Sequence, residues 1–290
     1  MVAGPSQARP PETAADLIRP ERISRALSES RIGATVRYEA RVDSTNRLAR
    51  DLGKQGADDG VVVIADEQTA GRGRRQRSWV SPAGKGIYVS VLLRPPGEAA
   101  DAGAAVQLAA GIAVAETLAS YCSRPLMLRW PNDCFCGGRK IAGVLVESGM
   151  TGESLDFMVC GIGVNVNHEA ADFPPDLRSR ATSLRILSGS SQARFAVLVS
   201  LLRSLERWDD EWRRHGLAPI VERWHELSPE SRGSYVEIRT STGMIRGTAD
   251  GLSPAGGLYV EDDERGRREI TLGELVRLSP YTSVAQRRTP

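Results

Sequence analysis

Three features of the sequence predict an α+β chain, with a mixed or antiparallel sheet packed against helices and a small all-β unit behind it. First, Val61-Val62-Val63-Ile64-Ala65 and Gly86–Leu93 are apolar runs that read as buried strands on either side of a basic loop. Second, Ala104–Tyr121 is long and mostly apolar, and Arg194–Arg214 sets Phe195, Leu198, Leu202, Leu205, Trp208 and Trp212 on one helical face. Third, beyond Pro229–Gly233 the pattern changes to short strands with turns: Tyr235–Arg239, Met244–Ala249, Leu258–Glu261, Arg268–Thr271 and Val276–Leu278. Five such strands in close succession read as a small β-barrel.

The remaining elements follow in order. Residues 1–30 read as a largely disordered leader: residues 1–19 are rich in Pro, Ala and small polar residues, and Pro20–Ser30 has the spacing of a short helix, with Ile23, Ala26 and Leu27 in step. Val36–Val42 alternates like a strand. Asp43-Ser44-Thr45-Asn46 stops it and supplies cap residues for a helix over Arg47–Lys54. Free N–H groups at that helix start also suit a carboxylate or a urea-like ring. Leu126–Asp133 reads as a strand ended by Pro131, joined through Gly137-Gly138 to a second hairpin strand over Arg139–Glu147. Phe157–Asn167 is a strand with interior glycines, which mark close approach of a ligand or of another backbone. Residues 168–182 carry Pro174-Pro175 and no period, as a lid would, and Pro219–Leu227 closes the region with a shorter helix. The expected organisation is a leader over 1–30, a ligand-binding domain over 31–230, a β-domain over 231–280 and a disordered tail over 281–290.

A chain of 290 residues has a prior of about two domains and room for a sizeable core. Its formal net charge of +2 does not make it the strongly basic body of a general DNA binder. Only Lys54, Lys85 and Lys140 are lysines, so in a chain that otherwise writes Arg, a Lys inside a motif points to a site needing a compact ammonium. Lys140 is in such a motif; Lys54 and Lys85 are read as incidental. Cys122, Cys134, Cys136 and Cys160 form no metal-ligand pattern with His168, His215 or His225, and Cys134 and Cys136 fall in an expected hairpin turn, so all four read as reduced thiols. No run is taken to reach the ~18 apolar residues of a membrane span, and no signal-peptide core opens the chain. The expectation is a soluble cytoplasmic protein.

The basic loop, residues 68–79, sets Gly71-Arg72-Gly73-Arg74-Arg75-Gln76-Arg77 between the two apolar strands. Glycines let backbone approach a ligand, successive N–H groups form an anion-binding concavity, and four guanidiniums repel one another unless something negative sits among them. Taken alone, the loop also fits a solvated segment or a nucleic-acid contact.

Three separated segments settle the reading. Gly71-Arg72-Gly73-Arg74-Arg75-x-Arg77-x-Trp79, Arg129-Trp130-Pro131-Asn132-Asp133 with Lys140–Glu147, and Gly161-x-Gly163-x-Asn165-x-Asn167 resemble biotin protein ligases in order and spacing, over roughly residues 36–280. The resemblance implies a class II synthetase-like biotin/lipoate ligase fold followed by an SH3-like β-barrel. It implies ATP and biotin as substrates, Mg²⁺ on the phosphates, and transfer of biotin through biotinyl-5′-AMP to a lysine of the biotin carboxyl carrier protein domain of an acyl-CoA carboxylase. Implied biotin contacts are Ser44, Thr45, Asn46, Gln68, Gly71, Arg72, Gly73, Arg74, Lys140 and Gly143. Implied ATP or adenylate contacts are Arg72, Arg74, Arg75, Arg77, Trp79, Asn132, Lys140 and Asn165. Lys140, Arg72, Arg74 and Asp133 are the implied catalytic set, and Asp133 either meets Mg²⁺ or orients the incoming amine. The residue types suit this chemistry, because bringing a carboxylate to a triphosphate concentrates negative charge that fixed cations must offset. By analogy with the family, the basic loop closes over the adenylate and shields it from water.

Two positions depart from the family pattern: Gln76 stands where a glycine is common, and Arg129 where a lysine is frequent. The stretch before residue 36 shows no winged-helix pattern, so DNA binding is not expected; neither is a membrane, and the chain is expected as a monomer or weak homodimer. A lipoate or other acyl-acid ligase shares the core, while a non-enzymatic nucleic-acid binder would hold heparin without ATP or biotin.

Overall fold

The computed structural model describes residues 18–96, 101–152 and 154–279. Its larger sheet has seven strands: β1 (Val36–Val42), β2 (Val62–Gln68), β3 (Gly86–Leu93), β4 (Leu126–Arg129), β5 (Asp133–Cys136), β6 (Arg139–Thr151) and β7 (Ser154–Asn165). They lie in the order β1-β2-β3-β7-β6-β5-β4, with β1 parallel to β2 and every other pair antiparallel, so the sheet is mixed as expected.

Both faces of β2 and β3 are covered, which is why these strands read as unbroken apolar runs. Val62, Ile64, Val89 and Val91 join the main core with α3 (Ala102–Ala119), α5 (Arg194–His215) and α6 (Ala218–Leu227). Val61, Val63 and Leu92 join a second cluster with Ala49 of α2 (Thr45–Lys54) on the opposite face. α3 is long and apolar enough to cross a membrane, contrary to the sequence reading, but 72% of it is buried inside this fold. It is the central core helix.

The predicted two-strand hairpin is a three-strand meander. The chain turns at the cis Trp130–Pro131 bond, and Asp133 opens β5 instead of ending β4. Cys134 and Cys136 therefore lie in a strand, and the turn belongs to Gly137 and Gly138, whose φ values of 57° and 75° suit glycine. All four cysteines are free.

At the N-terminal end the structure corrects the leader. Ile18 is buried, and α1 (Pro20–Ala26) buries Ile23, followed by buried Leu27 and Ile32, so residues 18–30 belong to the fold. The disorder expected for residues 1–17 and for the tail over 281–290 lies outside the described residues.

The C-terminal strands β8 (Arg232–Arg239), β9 (Met244–Leu252), β10 (Leu258–Asp262), β11 (Gly266–Ile270) and β12 (Glu274–Ser279) form one antiparallel sheet in the order β11-β10-β9-β8-β12. β11 and β12 end the sheet without pairing to each other, so the expected barrel is seen here as a five-stranded sheet. It fits an SH3-like domain in strand number and direction. Its inner residues Val236, Ile238, Leu258 and Val260 run continuously into the main core, and Trp130 Nε1 donates to Gly256 O at 3.3 Å. β12 thus comes to stand beside the larger sheet.

Candidate functional site

α2 covers only part of its face of the sheet. Over β6 and β7 that face is open, because Gly143 pairs with Gly163 and Leu145 with Gly161, leaving few side chains to fill it. A cavity of about 460 Å³ lies there. It is lined by the start of α2, the basic loop, the turn before β5, Lys140, the segment over 173–181, and β12.

One end is a buried polar network. Ser44 is the N-cap of α2 by position, but its side chain makes no capping bond, so the predicted cap is positional only. Thr45 donates from both its N–H and its hydroxyl to Gln68 Oε1, at 2.9 and 3.1 Å, and Gln68 Nε2 donates to Ser81 Oγ at 3.0 Å. The single Ser90 hydroxyl proton serves Asn46 Oδ1 at 2.7 Å or Thr45 Oγ1 at 2.8 Å. Asn46 Nδ2 donates to Glu147 Oε2 at 2.8 Å. Both ends of the Asn46 amide are therefore engaged inside the protein, and its part is to fix the network. Such a chain holds Thr45 and Gln68 in set orientations beside the cavity.

The interior strand glycines are explained by side chains. A Cβ on Gly161 would lie 1.9 Å from Asn46 Oδ1, and one on Gly163 would lie 2.5 Å from the Trp79 indole. Trp79 rests on the slot made by Gly163 and Gly143, with its Nε1 buried and unpartnered, and Lys140 Nζ stands 5.4 Å from the ring centroid. The close approach predicted for a ligand or backbone is made by Trp79 and Asn46.

Lys140 is set by an irregularity. The register between β5 and β6 shifts after Cys134, so that Phe135 pairs with Lys140 and Cys134 with Ala142, which leaves Ile141 as the extra residue of a bulge. The Lys140 backbone N–H donates to Arg180 O at 2.8 Å, and its carbonyl accepts from Thr182 N–H at 2.9 Å. Its ammonium lies 2.6 Å from Asp133 Oδ1. That contact is an ion pair off the hydrogen-bonding direction, since this buried oxygen has no aligned donor. Asn132 and Asn165 brace the walls: their side-chain amides donate to Val144 O (2.7 Å) and Thr182 O (3.0 Å).

The basic loop is folded. Arg72 bridges to Ser78, Gly73 N–H donates to Arg77 O at 2.7 Å, and Trp79 N–H donates to Gly71 O at 2.8 Å. Its arginines divide sharply. Arg72 pairs with Glu147 at 3.2 Å, which Arg50 also meets at 2.8 Å. Arg75 (3.4 Å) and Arg77 pair with Glu274 of β12. The Arg74 side chain has no ion pair or hydrogen bond among the described residues; burial pulls its pKa below the usual value, with Asp133 opposing and Arg75 reinforcing the effect.

Of the residues predicted for the site, all but Gly71 line this one cavity. Gly71 sits behind the loop, where a Cβ would meet Trp79 O at 2.5 Å. Arg75 and Arg77, expected on the adenylate, line the cavity but are engaged by Glu274. Arg129, noted as a departure, is held by Glu230 at 2.9 Å and lies 4.1 Å over the Phe135 ring. Sequence reasoning missed Ser90 inside β3 and gave no role to Glu147 or Glu274. It also set Lys85 aside; Lys85 pairs with Asp172 at 3.1 Å and so anchors the 168–182 segment. That segment is further pinned by His168, which is fully buried, stacks on Phe173 (5.1 Å between centroids) and lies 3.3 Å from Tyr88 Oη. Burial lowers the His168 pKa to about 4.

The model of the biotin/lipoate A/B protein ligase family matches residues 38–165. A biotin--[acetyl-CoA-carboxylase] ligase of Mycobacterium tuberculosis is 32% identical over 268 residues, spanning 89% of this chain and 93% of the relative. The corresponding ligase of Paracoccus denitrificans is 34% identical over 241 residues, spanning 81% and 98%. Among solved structures, the biotin protein ligase from Aquifex aeolicus in complex with biotin and ATP is similar with a TM-score of 0.71 at 30% identity, covering 85% of this chain and 99% of that one. This likeness spans nearly the whole of those relatives, and the motif residues gather round one cavity: the chain is a ligase of the biotin protein ligase family.

Proposed function

We propose that the chain activates biotin with ATP as biotinyl-5′-AMP and transfers the biotinyl group to a lysine of a biotin carboxyl carrier domain of an acyl-CoA carboxylase. The observation that carries this is the pairing, round one cavity, of a preset polar network at the start of α2 with a half-buried Arg74 whose side chain makes no ion pair or hydrogen bond among the described residues. One end suits a ureido ring and the other a phosphate.

In the first step a biotin carboxylate oxygen attacks the α-phosphorus of ATP, a P–O bond forms, and the bond to the departing pyrophosphate breaks. Thr45 and Gln68, with Ser44 beside them, hold the ureido ring, and Gly143 leaves room for the ligand next to Trp79. Arg72, Arg74 and Lys140 offset the negative charge drawn together in the transition state, and Gly73 adds backbone. Arg75 and Arg77 act by holding the loop closed, and Asn132 and Asn165 by fixing the walls against which the adenylate rests. In the second step the carrier amine attacks the acyl carbon and the acyl–oxygen bond breaks, releasing AMP. Asp133 orients that amine, and Trp79 with the loop keeps water from the anhydride.

Asp133 is also the residue that would meet Mg²⁺. Its Oδ1 already meets the Lys140 ammonium at 2.6 Å, so it would add a single carboxylate contact to an ion carried mainly by phosphate oxygens. When bound, the ion neutralises phosphate charge.

In this reading residues 31–230 carry the chemistry and 231–280 support it, in the cytoplasm, without DNA or membrane, as a monomer or weak homodimer. Biotin-dependent ATP–pyrophosphate exchange tests it. The wild type should need biotin, lipoate should not replace it, and Lys140→Ala should lower exchange by roughly 10²–10³-fold, as when a preorganised charge-stabilising donor is removed. Exchange without any acid, or full exchange in Lys140→Ala, would overturn the assignment.

A further inference from the structure

Glu274 opens β12, borders the cavity, and is the meeting point of three guanidiniums. Arg75 lies 3.4 Å from it, Arg77 is in direct contact, and Arg239 of β8 lies at 3.7 Å. Arg75 Nη2 also donates to the Arg239 carbonyl at 2.7 Å. The carboxylate is only 17% exposed, whereas Arg77 is 63% exposed, so the acid is the fixed partner and the loop comes to it.

The backbone between these arginines is not at rest. Arg75 and Gln76 adopt φ values of 54° and 61°, the left-handed region that side chains other than glycine disfavour. A loop holding two such residues in succession at an exposed tip keeps that shape only when its surroundings hold it there. The loop's own backbone bonds, Gly73 N–H to Arg77 O at 2.7 Å and Arg77 N–H to Arg74 O at 3.2 Å, set its curve, and the contacts to Glu274 and to the Arg239 carbonyl tie it to the rest of the protein. Meanwhile the same folded loop places Arg72, Arg74 and Trp79 on the cavity.

We propose that Glu274 is a positioning residue: a carboxylate supplied by the C-terminal sheet that clamps Arg75 and Arg77, holds the basic loop shut, and so delays loss of the activated acid before the carrier amine arrives. The clamp stands on the geometry above, while its effect on the adenylate rests on the proposed ligase reaction. Removing it lets the Arg75–Gln76 pair relax to ordinary backbone and opens the loop, without touching the polar network that receives the acid.

Two measurements on the full chain separate the two levels. Limited trypsin digestion without ligands, read by mass spectrometry for cuts after Arg74, Arg75 and Arg77, should proceed at least about fivefold faster in Glu274→Gln than in wild type. Equal cutting overturns the clamp, whatever reaction the chain performs. Preformed labelled biotinyl-5′-AMP should then leave Glu274→Gln at least about tenfold faster, measured against its pyrophosphate-exchange rate. The Arg77→Ala/Glu274→Ala double variant should release it no faster than the faster single variant, because both act through one contact. Faster cutting with unchanged release, or multiplicative release effects, overturns the positioning role. If wild type forms no biotin-dependent adenylate at all, the ligase reading fails and the digestion result still decides the clamp. Thermal unfolding of Glu274→Gln within a few degrees of wild type, as expected for a change at a strand end, confirms that opening is local.

Discussion

Gly163→Ala sets two opposing effects against each other, and the structure decides between them. Replacing a strand glycine by alanine lowers the entropy of the unfolded chain, which stabilises by about 0.4–1 kcal/mol where the native backbone accepts a side chain. Gly163 has no positive φ, so its backbone does accept one. The space does not: the new Cβ would lie 2.5 Å from the Trp79 ring atoms Cε2 and Nε1 and 2.9 Å from Cζ2. The indole must shift by roughly an ångström, off the slot made by Gly163 and Gly143. Overpacking of this kind costs ~1–3 kcal/mol, so the net expectation is a loss of about 1–2 kcal/mol. In a Trp79→Ala background the obstacle is gone, and the same substitution should be neutral or stabilising by ~0.5 kcal/mol. Urea unfolding of the four proteins in the cycle measures this, with biotin affinity recorded alongside. An equal loss in both backgrounds would show that Gly163 is constrained by something other than Trp79.

Ser90→Ala should leave Asn46 Oδ1 short of its donor inside the fold, destabilising the protein by ~1–3 kcal/mol, and biotin affinity measured by calorimetry should fall several-fold. Unchanged affinity would remove the network from the binding site. His168 is held neutral by burial, with its pKa lowered to about 4 against an ordinary 6.5. Its contribution is complete above pH 6.5 and is lost as pH falls toward 4; between pH 7.5 and 5 the loss should reach ~2 kcal/mol in wild type and vanish in His168→Gln, as followed by denaturant unfolding at each pH. Arg74→Gln should weaken ATP binding at least tenfold, because it removes a charge-assisted contact worth ~1.5–3 kcal/mol, whereas Arg72→Gln should cost about threefold or less. Equilibrium titration with an ATP analogue that cannot react separates them, and equal losses would refute the distinction.

Much of the fold was legible because it is local. The seven residues of β1, the unbroken apolar runs of β2 and β3, and the amphipathic stripe of α5 each write their own period. The errors came where a local rule met a tertiary fact. A Pro inside an apolar run reads as a stop, and it does end β4, but the chain turns at once and uses Asp133–Cys136 as a further strand. α3 has the length and apolarity of a membrane span because it is buried on nearly every side. In the leader the helical spacing over Pro20–Ser30 was legible and α1 bears it out, whereas the burial of Ile18, Ile23 and Leu27 in the core was not legible in a stretch read as largely disordered.

The site shows the same boundary more sharply. The family resemblance, with the charge of the basic loop and the one motif lysine, named Thr45, Gln68, Arg72, Arg74 and Lys140, and all five line one cavity. They could not say which charges were already satisfied. Four arginines in one loop require negative charge nearby, and the simplest source from sequence is a ligand. The fold supplies most of it internally, from Glu147, 75 residues beyond Arg72, and from Glu274, 197 residues beyond Arg77. An arginine already paired must give up its partner before it can gain from an anion, while one that is half-buried and makes no direct pair gains at once. Arg72 is half-exposed, so its pair with Glu147 is a modest competitor, worth about 1 kcal/mol or less. Arg74 stands between Arg75, which repels it, and Asp133, whose charge is already shared with Lys140. The loop thus divides its charge into arginines that hold it in place and an arginine left free to receive the substrate, a division that only the folded chain reveals.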